Sequence, residues 1–108
     1  MPHYPYRIQP MRPEMLDDGP TEREAGGVRE HFEYLQALTA AGTVLMAGRT
    51  LTTGERTFGI VILVAESEAR AATIMRDDPA IREDVMRAEL FPFRIALWSR
   101  GGPGALDE

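Results

Sequence analysis

The residues of this sequence best suited to chemistry are two histidines and the acidic pair Asp77 and Asp78. His3 lies near the amino terminus among polar residues, where we expect it to be solvated. His31 lies on the apolar stripe of a predicted helix, one turn before Leu35, so at about 100° per residue its ring points toward the sheet. A neutral imidazole there needs a partner for its ring N–H or has to face a pocket. His31 is therefore the candidate for chemistry.

Asp77 and Asp78 are the candidate partners of His31, because they end the second predicted helix before Pro79. If the two helices lie side by side, a carboxylate of this pair can reach the imidazole and hold its tautomer. Such a pair can serve as a general acid or base. The alternatives are a core histidine with a satisfied hydrogen bond and an Asp that serves only the turn before proline.

The elements that must position these residues follow from the hydrophobic pattern. Strands are predicted over residues 4–11, 43–47, 57–65 and 89–98, and helices from Thr21 to about Gly42 and from Ser67 to about Arg76, with one further helical turn over residues 80–85. Pro92 lacks the N–H of a central strand, so the last strand is expected at an edge. The order β-α-β-β-α-β predicts an α+β fold, an antiparallel sheet with two helices on one face. We expect one domain over residues 1–98 and a flexible, glycine-rich tail over residues 99–108.

The other face of this sheet is expected to be uncovered. Residues 57–65 are apolar on both faces, although one helical layer covers a single face. Side chains such as Val61, Leu63, Phe91 and Phe93 are expected on the uncovered face. We therefore predict a homodimer that packs sheet against sheet; the alternative is a cover formed by the loop before the first helix or by the tail.

Composition excludes several functions. The chain of 108 residues has no cysteine, and all 12 basic residues are arginine, which removes thiolate sites, lysine Schiff bases and lysine-containing phosphate loops. The net charge of −5 disfavours a nucleic-acid partner, and the small number of histidines disfavours a metal site. No cofactor is predicted. No apolar run approaches the roughly 20 residues of a membrane span, and no secretory signal is evident, so we expect a cytoplasmic protein.

Several short motifs recur in an order that resembles the YCII-related family, between Tyr4 and Trp98. They are Glu30-His31-Phe32-Glu33-Tyr34-Leu35, Ala41-Gly42-Thr43-Val44-Leu45-Met46-Ala47-Gly48, Phe58-Gly59-Ile60-Val61, Glu66-Ser67-Glu68-Ala69, Asp77-Asp78-Pro79 and Glu89-Leu90-Phe91-Pro92-Phe93. The resemblance implies a ferredoxin-like dimeric α/β barrel, related in fold to muconolactone isomerase. It also implies an active site formed by a His of the first helix and the Asp before Pro, which are His31 and Asp78 here.

Four further residues are candidates for binding a substrate. After Ala47-Gly48 the family usually carries Pro, whereas this chain has Arg49, whose guanidinium either favours an anionic ligand or points to solvent. Gly48 is expected at the same rim. Arg7 could grip a carboxylate with two hydrogen bonds, and Phe93 could line a cleft for an aromatic ligand.

Three functions follow from these residues, and the sequence does not choose among them. The first is a cofactor-free enzyme in which His31 moves a proton and Asp78 orients the imidazole. Such an enzyme would be an isomerase, a lyase or dehydrohalogenase, or a hydrolase that acts on a small metabolite. The second is a non-catalytic dimer that binds a small ligand or serves as an accessory module. The third is a structural pair that bridges the two helices.

Overall fold

The computed structural model describes residues 1–101 and shows the predicted order of strands and helices, including the further helical turn, which spans Pro79–Arg82. The elements are β1 (His3–Pro10), α1 (Glu22–Ala40), β2 (Val44–Arg49), β3 (Gly59–Val64), α2 (Glu68–Arg76), α3 (Pro79–Arg82) and β4 (Met86–Leu90). Single 3-10 turns occupy Pro13–Leu16 and Gly54–Arg56. Most of the predicted tail, residues 102–108, lies outside the described residues.

The four strands form one antiparallel sheet in the order β2-β3-β1-β4. β4 is an edge strand, as Pro92 predicts, but its span differs from the predicted 89–98. It begins at Met86 and ends at Leu90, because Pro92 cannot continue the ladder. Beyond Leu90, the N–H of Phe91 donates to the carbonyl of Pro5 at 2.9 Å and the N–H of Phe93 to that of His3 at 3.2 Å.

The core lies between the sheet and the helices. The even-numbered residues of β1 from Tyr4 to Ile8 point into it, together with Val61 and Leu63 of β3 and Leu35 of α1. The expectation that Val61 and Leu63 lie on the uncovered face is therefore wrong, since they are 1% and 0% exposed. They pair with Tyr6 and Tyr4 on the face that the helices cover.

Within residues 1–101 nothing packs over the other face of the sheet, called here the uncovered face. It carries the alternate residues of β3, Ile62 and Val64, which are half-buried. Phe91 and Phe93 lie opposite Pro5 and His3 and share this face, as expected, with exposed fractions of 36% and 52%. An apolar sheet surface is thus present, built in part from other residues than predicted.

The helices begin and end at the predicted residues. The Thr21 hydroxyl accepts the N–H of Glu24 at 3.1 Å while the Glu24 carboxylate accepts the N–H of Thr21 at 2.9 Å, a reciprocal capping box. Ser67 caps α2 by accepting the N–H of Arg70 at 3.1 Å. After α1, Gly42 adopts a φ of +83°, which glycine tolerates without strain.

A close approach to the segment after α3 positions α1, the helix that carries His31. A Cβ placed on Gly27 would lie 2.8 Å from Cγ2 of Val85, which is itself buried. Gly27 is one turn before His31, so its missing side chain lets α1 pack against the segment that follows Asp78. Neither α1 nor any other helix within residues 1–101 is long and apolar enough to cross a membrane.

Candidate active site

His31 and Asp78 are in direct contact. The imidazole Nδ1 lies 2.8 Å from Oδ1 and 2.7 Å from Oδ2 of Asp78, although 47 positions separate the two residues in the chain. The Asp78 side chain is fully buried, and that of His31 is 12% exposed. Asp77, the other candidate partner, is the exposed C-cap residue of α2.

Asp78 is the centre of a cluster of three side chains, Tyr6, His31 and Asp78, called here the buried cluster. The Tyr6 hydroxyl donates to Oδ2 at 2.8 Å, and the backbone N–H of Ala80 donates to Oδ1 at 3.1 Å as the cap of α3. Three donors from β1, α1 and α3 thus converge on one carboxylate. Within residues 1–101, no buried side-chain nitrogen or oxygen lacks a hydrogen-bond partner. The arrangement is the one expected of a carboxylate that only accepts hydrogen bonds.

The two phenols near Asp78 keep their protons. Burial, followed by the negative charge of Asp78 and the hydrogen bond to it, raises the pKa of Tyr6 far above its ordinary value. Burial and then the charges of Asp77 and Asp78 raise the pKa of Tyr34 to about 12, and its hydroxyl donates to the carbonyl of Ile74 at 2.7 Å. Both phenols are therefore hydrogen-bond donors, Tyr6 to Asp78 and Tyr34 to the carbonyl of Ile74.

The contact with Asp78 determines which nitrogen of His31 is available. Because a carboxylate accepts, neutral His31 carries its proton on Nδ1 and leaves the Nε2 lone pair unprotonated. Among the described residues, no hydrogen bond to Nε2 is present, and the His31 side chain lines a cavity. This arrangement can accept a proton at Nε2 and return it.

The cavity has a volume of about 1080 Å³ and opens between α1, the 3-10 turn at Pro13–Leu16 and the β2–β3 hairpin. Its walls are mainly apolar, with Leu35, Val61 and Phe32 among the side chains that line it. Met15 and Leu16 contribute from the loop before α1, which is held by Arg12. The guanidinium of Arg12 donates to both carboxylate oxygens of Glu24, at 2.9 and 2.7 Å.

The structure brings two of the four predicted binding residues to this cavity. Gly48 and Arg49, at the end of β2, line it together with His31. Arg7 instead lies on the uncovered face of the sheet, 3.1 Å from Glu89, and Phe93 lies on that face as well. Arg7 and Phe93 are not at the cavity because odd-numbered residues of β1, and the residues paired with them, point away from the helices.

Two residues of the site were missed by the sequence analysis. Tyr6 was assigned only to a strand, although a phenol at an inward position of a strand needs a buried acceptor. Gly27 was not predicted to have a role, although two successive glycines inside a helix, Gly26 and Gly27, indicate that another segment packs closely against the helix backbone. Both signals were present in the printed sequence.

The donor set for a metal is small. Within the part of the chain that the structure describes, no group of three or more His, Asp and Glu side chains is placed to hold an ion. His31 and Asp78 supply two donors where protein sites use three or more.

Comparison with known proteins agrees with this fold. The architecture resembles that of 5-chloro-2-hydroxyhydroquinone dehydrochlorinase (TftG) from Burkholderia phenoliruptrix AC1100, solved in complex with 2,5-dihydroxybenzoquinone. The TM-score is 0.60 at 19% identity, and the match covers 84% of this chain and 93% of that chain. The profile of the YCII-related domain matches residues 7–94, so the chain belongs to the YCII-related family. No curated protein matches it.

Proposed function

We propose that this protein is a cofactor-free enzyme that acts on a small metabolite, with His31 as its general acid and base and Asp78 as the group that orients it. The observation that carries the proposal is the contact of Nδ1 with a fully buried carboxylate, 2.7 Å away, on a ring that lines a cavity. A histidine held only for packing has no need of an open cavity beside it.

The chemistry follows from the tautomer. When Nε2 accepts a proton from a ligand, the positive charge of the imidazolium lies against the Asp78 carboxylate, which stabilises it. A proton taken from a phenol O–H or a C–H of the ligand, with the freed electron pair expelling a leaving group such as chloride, gives elimination. A proton taken from one carbon and returned to another gives isomerisation, and a proton taken from a water that attacks an ester or lactone carbonyl gives hydrolysis. The structurally similar dehydrochlorinase favours elimination as the first reaction to test.

The experiment uses that similarity. Purified protein is incubated with 5-chloro-2-hydroxyhydroquinone, and released chloride is measured for the wild type, His31→Gln and the control His3→Gln. We expect turnover in the wild type and in His3→Gln, and a loss of about 100-fold or more in His31→Gln, as is typical of a missing general acid or base. Circular dichroism checks that each variant is folded.

Undiminished turnover in a folded His31→Gln variant would contradict the catalytic role. The outcome that favours the second function, a non-catalytic ligand-binding module, is also defined. It is saturable binding of 2,5-dihydroxybenzoquinone that shifts the NMR signals of His31, without turnover of any compound in a screen of halogenated, lactone and ester substrates. The size and apolar walls of the cavity are what make binding without turnover a real alternative.

We further propose that the protein is a homodimer joined through the uncovered sheet faces. Ile62 and Val64 at the centre of that face, with exposed Phe91 and Phe93 beside them, form an apolar surface of the kind that pairs with a copy of itself. Sedimentation equilibrium is expected to give twice the 12.0 kDa of one chain. Ile62→Arg is expected to give a folded monomer, and a monomeric wild type would refute the proposal.

A further inference from the structure

We infer that the cavity beside His31 selects a small organic anion, one with a flat apolar body and a delocalised oxyanion such as an aromatic carboxylate or phenolate. This inference rests on the proposed function, because it names the class of ligand for the same site. It is carried by the charges on the cavity wall and by the apolar surface between them.

The cavity wall has an unusual charge for this chain. The protein has 17 acidic and 12 basic residues and a net charge of −5. Yet the charged side chains that line the cavity are Arg29 and Arg49, called here the rim arginines, and none of the lining residues is Asp or Glu. A wall of one sign within a chain of the opposite net sign concentrates a positive potential where a ligand enters.

The rim arginines form no ion pair with a carboxylate of residues 1–101. Arg7, Arg12 and Arg82 each form an ion pair with a glutamate, whereas among the described residues neither Arg29 nor Arg49 does so. They come from two elements, Arg29 from α1 two residues before His31 and Arg49 from the end of β2. A ligand in the cavity therefore has guanidinium groups available from two walls.

The rest of the wall determines the remainder of the ligand. Phe32, Leu35 and Val61 offer apolar surface, and the volume of about 1080 Å³ is at the upper end of cavities that take small organic molecules. Inorganic phosphate would leave this surface unused, and a cation would be repelled. A planar guanidinium binds a planar carboxylate with two parallel hydrogen bonds, so an aromatic acid matches both parts of the wall.

The test uses two ligands of equal shape and different charge, 1-naphthoate and 1-naphthamide. Each is titrated into the full-length protein at low salt, and binding is followed by the NMR signals of the His31 ring, because this side chain lines the same cavity. We expect naphthoate to bind about tenfold tighter or more, and its advantage to shrink as salt is added, since the attraction is between exposed charges.

Variants assign this selectivity to the rim arginines. The double variant Arg29→Gln, Arg49→Gln is expected to lose most of the preference for naphthoate and to bind naphthamide as the wild type does. Arg76→Gln, which removes an exposed charge from the end of α2 away from the cavity, is the matched control and is expected to keep the preference. Equal melting temperatures show that the variants are folded.

Three results would overturn the inference. Equal affinity for both ligands, with His31 signals shifted by each, refutes charge selection but leaves the cavity as a ligand site, so the proposed function survives. A preference for naphthoate that persists in the double variant refutes the assignment to Arg29 and Arg49. If neither ligand shifts the His31 signals at millimolar concentration, the inference fails, whereas the proposed function is decided separately by the chloride-release assay.

Discussion

The buried cluster reaches the cavity through His31, and the rim arginines line the same cavity, but the two groups are built in opposite ways. In the cluster, Asp78 is fully buried and accepts from Tyr6, His31 and the backbone of Ala80. At the rim, Arg29 and Arg49 are exposed and form no ion pair with the described carboxylates. The cluster has its partners within the protein, whereas the rim has room for a partner from outside.

This difference predicts which changes alter both stability and proton chemistry and which alter only ligand binding. A buried group that loses its partner carries a desolvation penalty, so changes in the cluster are expected to alter stability and proton chemistry together. An exposed arginine without an ion pair contributes little to the free energy of unfolding. Changes at the rim are therefore expected to alter ligand binding alone. The predictions below test this separation.

The largest effect is expected for Asp78→Ala. It leaves the Tyr6 hydroxyl, the His31 Nδ1 and the Ala80 N–H without their acceptor, and we expect a loss of about 3 kcal/mol or more in the free energy of unfolding. Urea denaturation measures it. Asp77→Ala, at the neighbouring exposed position, is the control and is expected to stay within about 0.5 kcal/mol of the wild type. Equal losses for the two variants would contradict the central role of Asp78.

Next in size is Gly27→Ala, which tests how α1 is held against α3. The added methyl group would lie 2.8 Å from Cγ2 of the stiff, buried Val85, so we expect a loss of about 1–3 kcal/mol by thermal unfolding. Gly26→Ala on the same helix meets no atom within 4 Å and is expected to stabilise by about 0.5–1 kcal/mol. If both variants stabilise, the close approach at Gly27 is not a constraint.

Tyr6→Phe removes one hydroxyl from the buried cluster and keeps the ring. Asp78 loses one of its donors, and we expect a loss of about 1 kcal/mol in the free energy of unfolding. Nitrogen-15 NMR of His31 should still report the proton on Nδ1, because the contact with Asp78 is retained. A shift of that proton to Nε2 would show that Tyr6, and not only Asp78, sets the tautomer.

Glu24→Gln tests how the loop between β1 and α1, which contributes Met15 and Leu16 to the cavity, is held by Arg12. The hydrogen bond from Arg12, followed by that from the backbone of Thr21, lowers the pKa of Glu24 from 4.5 to about 2. The stabilising contribution of ionised Glu24 is therefore complete above pH 4.5 and is lost as the pH falls through about 2. The wild type is expected to be more stable than Glu24→Gln at neutral pH, and the difference should shrink near pH 2. A difference in the free energy of unfolding that is constant over this range would refute the role of the charge.

The smallest change in stability is expected for Arg49→Gln. Arg49 is exposed and has no ion pair among the described residues, so the free energy of unfolding should stay within about 0.5 kcal/mol of the wild type. Binding of 1-naphthoate should nevertheless weaken. A large loss of stability would show that the rim, like the cluster, is part of the folded framework.

The helices and strands could be predicted from the sequence because local chemistry fixes where they begin and end. Thr21 and Ser67 start their helices because a side-chain oxygen next to the first turn accepts a free N–H, and Pro92 places β4 at the edge because it has no N–H to donate. Such effects act within a few residues, so they can be read without knowing the fold. The last strand was misplaced by three residues at its start, where Met86 to Ala88 carry no local strand signal strong enough to stand alone.

The candidate active site was only partly predictable from the sequence. His31 stood out by its place on an apolar stripe, but the residues alone left Asp77 and Asp78 both open as partners, and the resemblance to the YCII-related family pointed to Asp78. The structure separates them because Asp77 ends α2 at the surface, whereas Asp78 turns inward to cap α3. Adjacent residues at a helix boundary point in different directions, and only the packing of α1 on α3 decides which one meets the imidazole.

The residue types of β3 show that the strand is apolar on both faces. Which of its residues face the helices follows only from how the strand pairs in the folded protein. Ile62 and Val64 are as apolar as Val61 and Leu63, so period-two alternation is satisfied by either choice. The register of β3 against β1 removes the ambiguity, since Val61 lies opposite the buried Tyr6. The same alternation places Arg7 on the uncovered face. The pairing of Arg49 with Gly59 places Arg49 on the covered face, where it lines the cavity that His31 also lines.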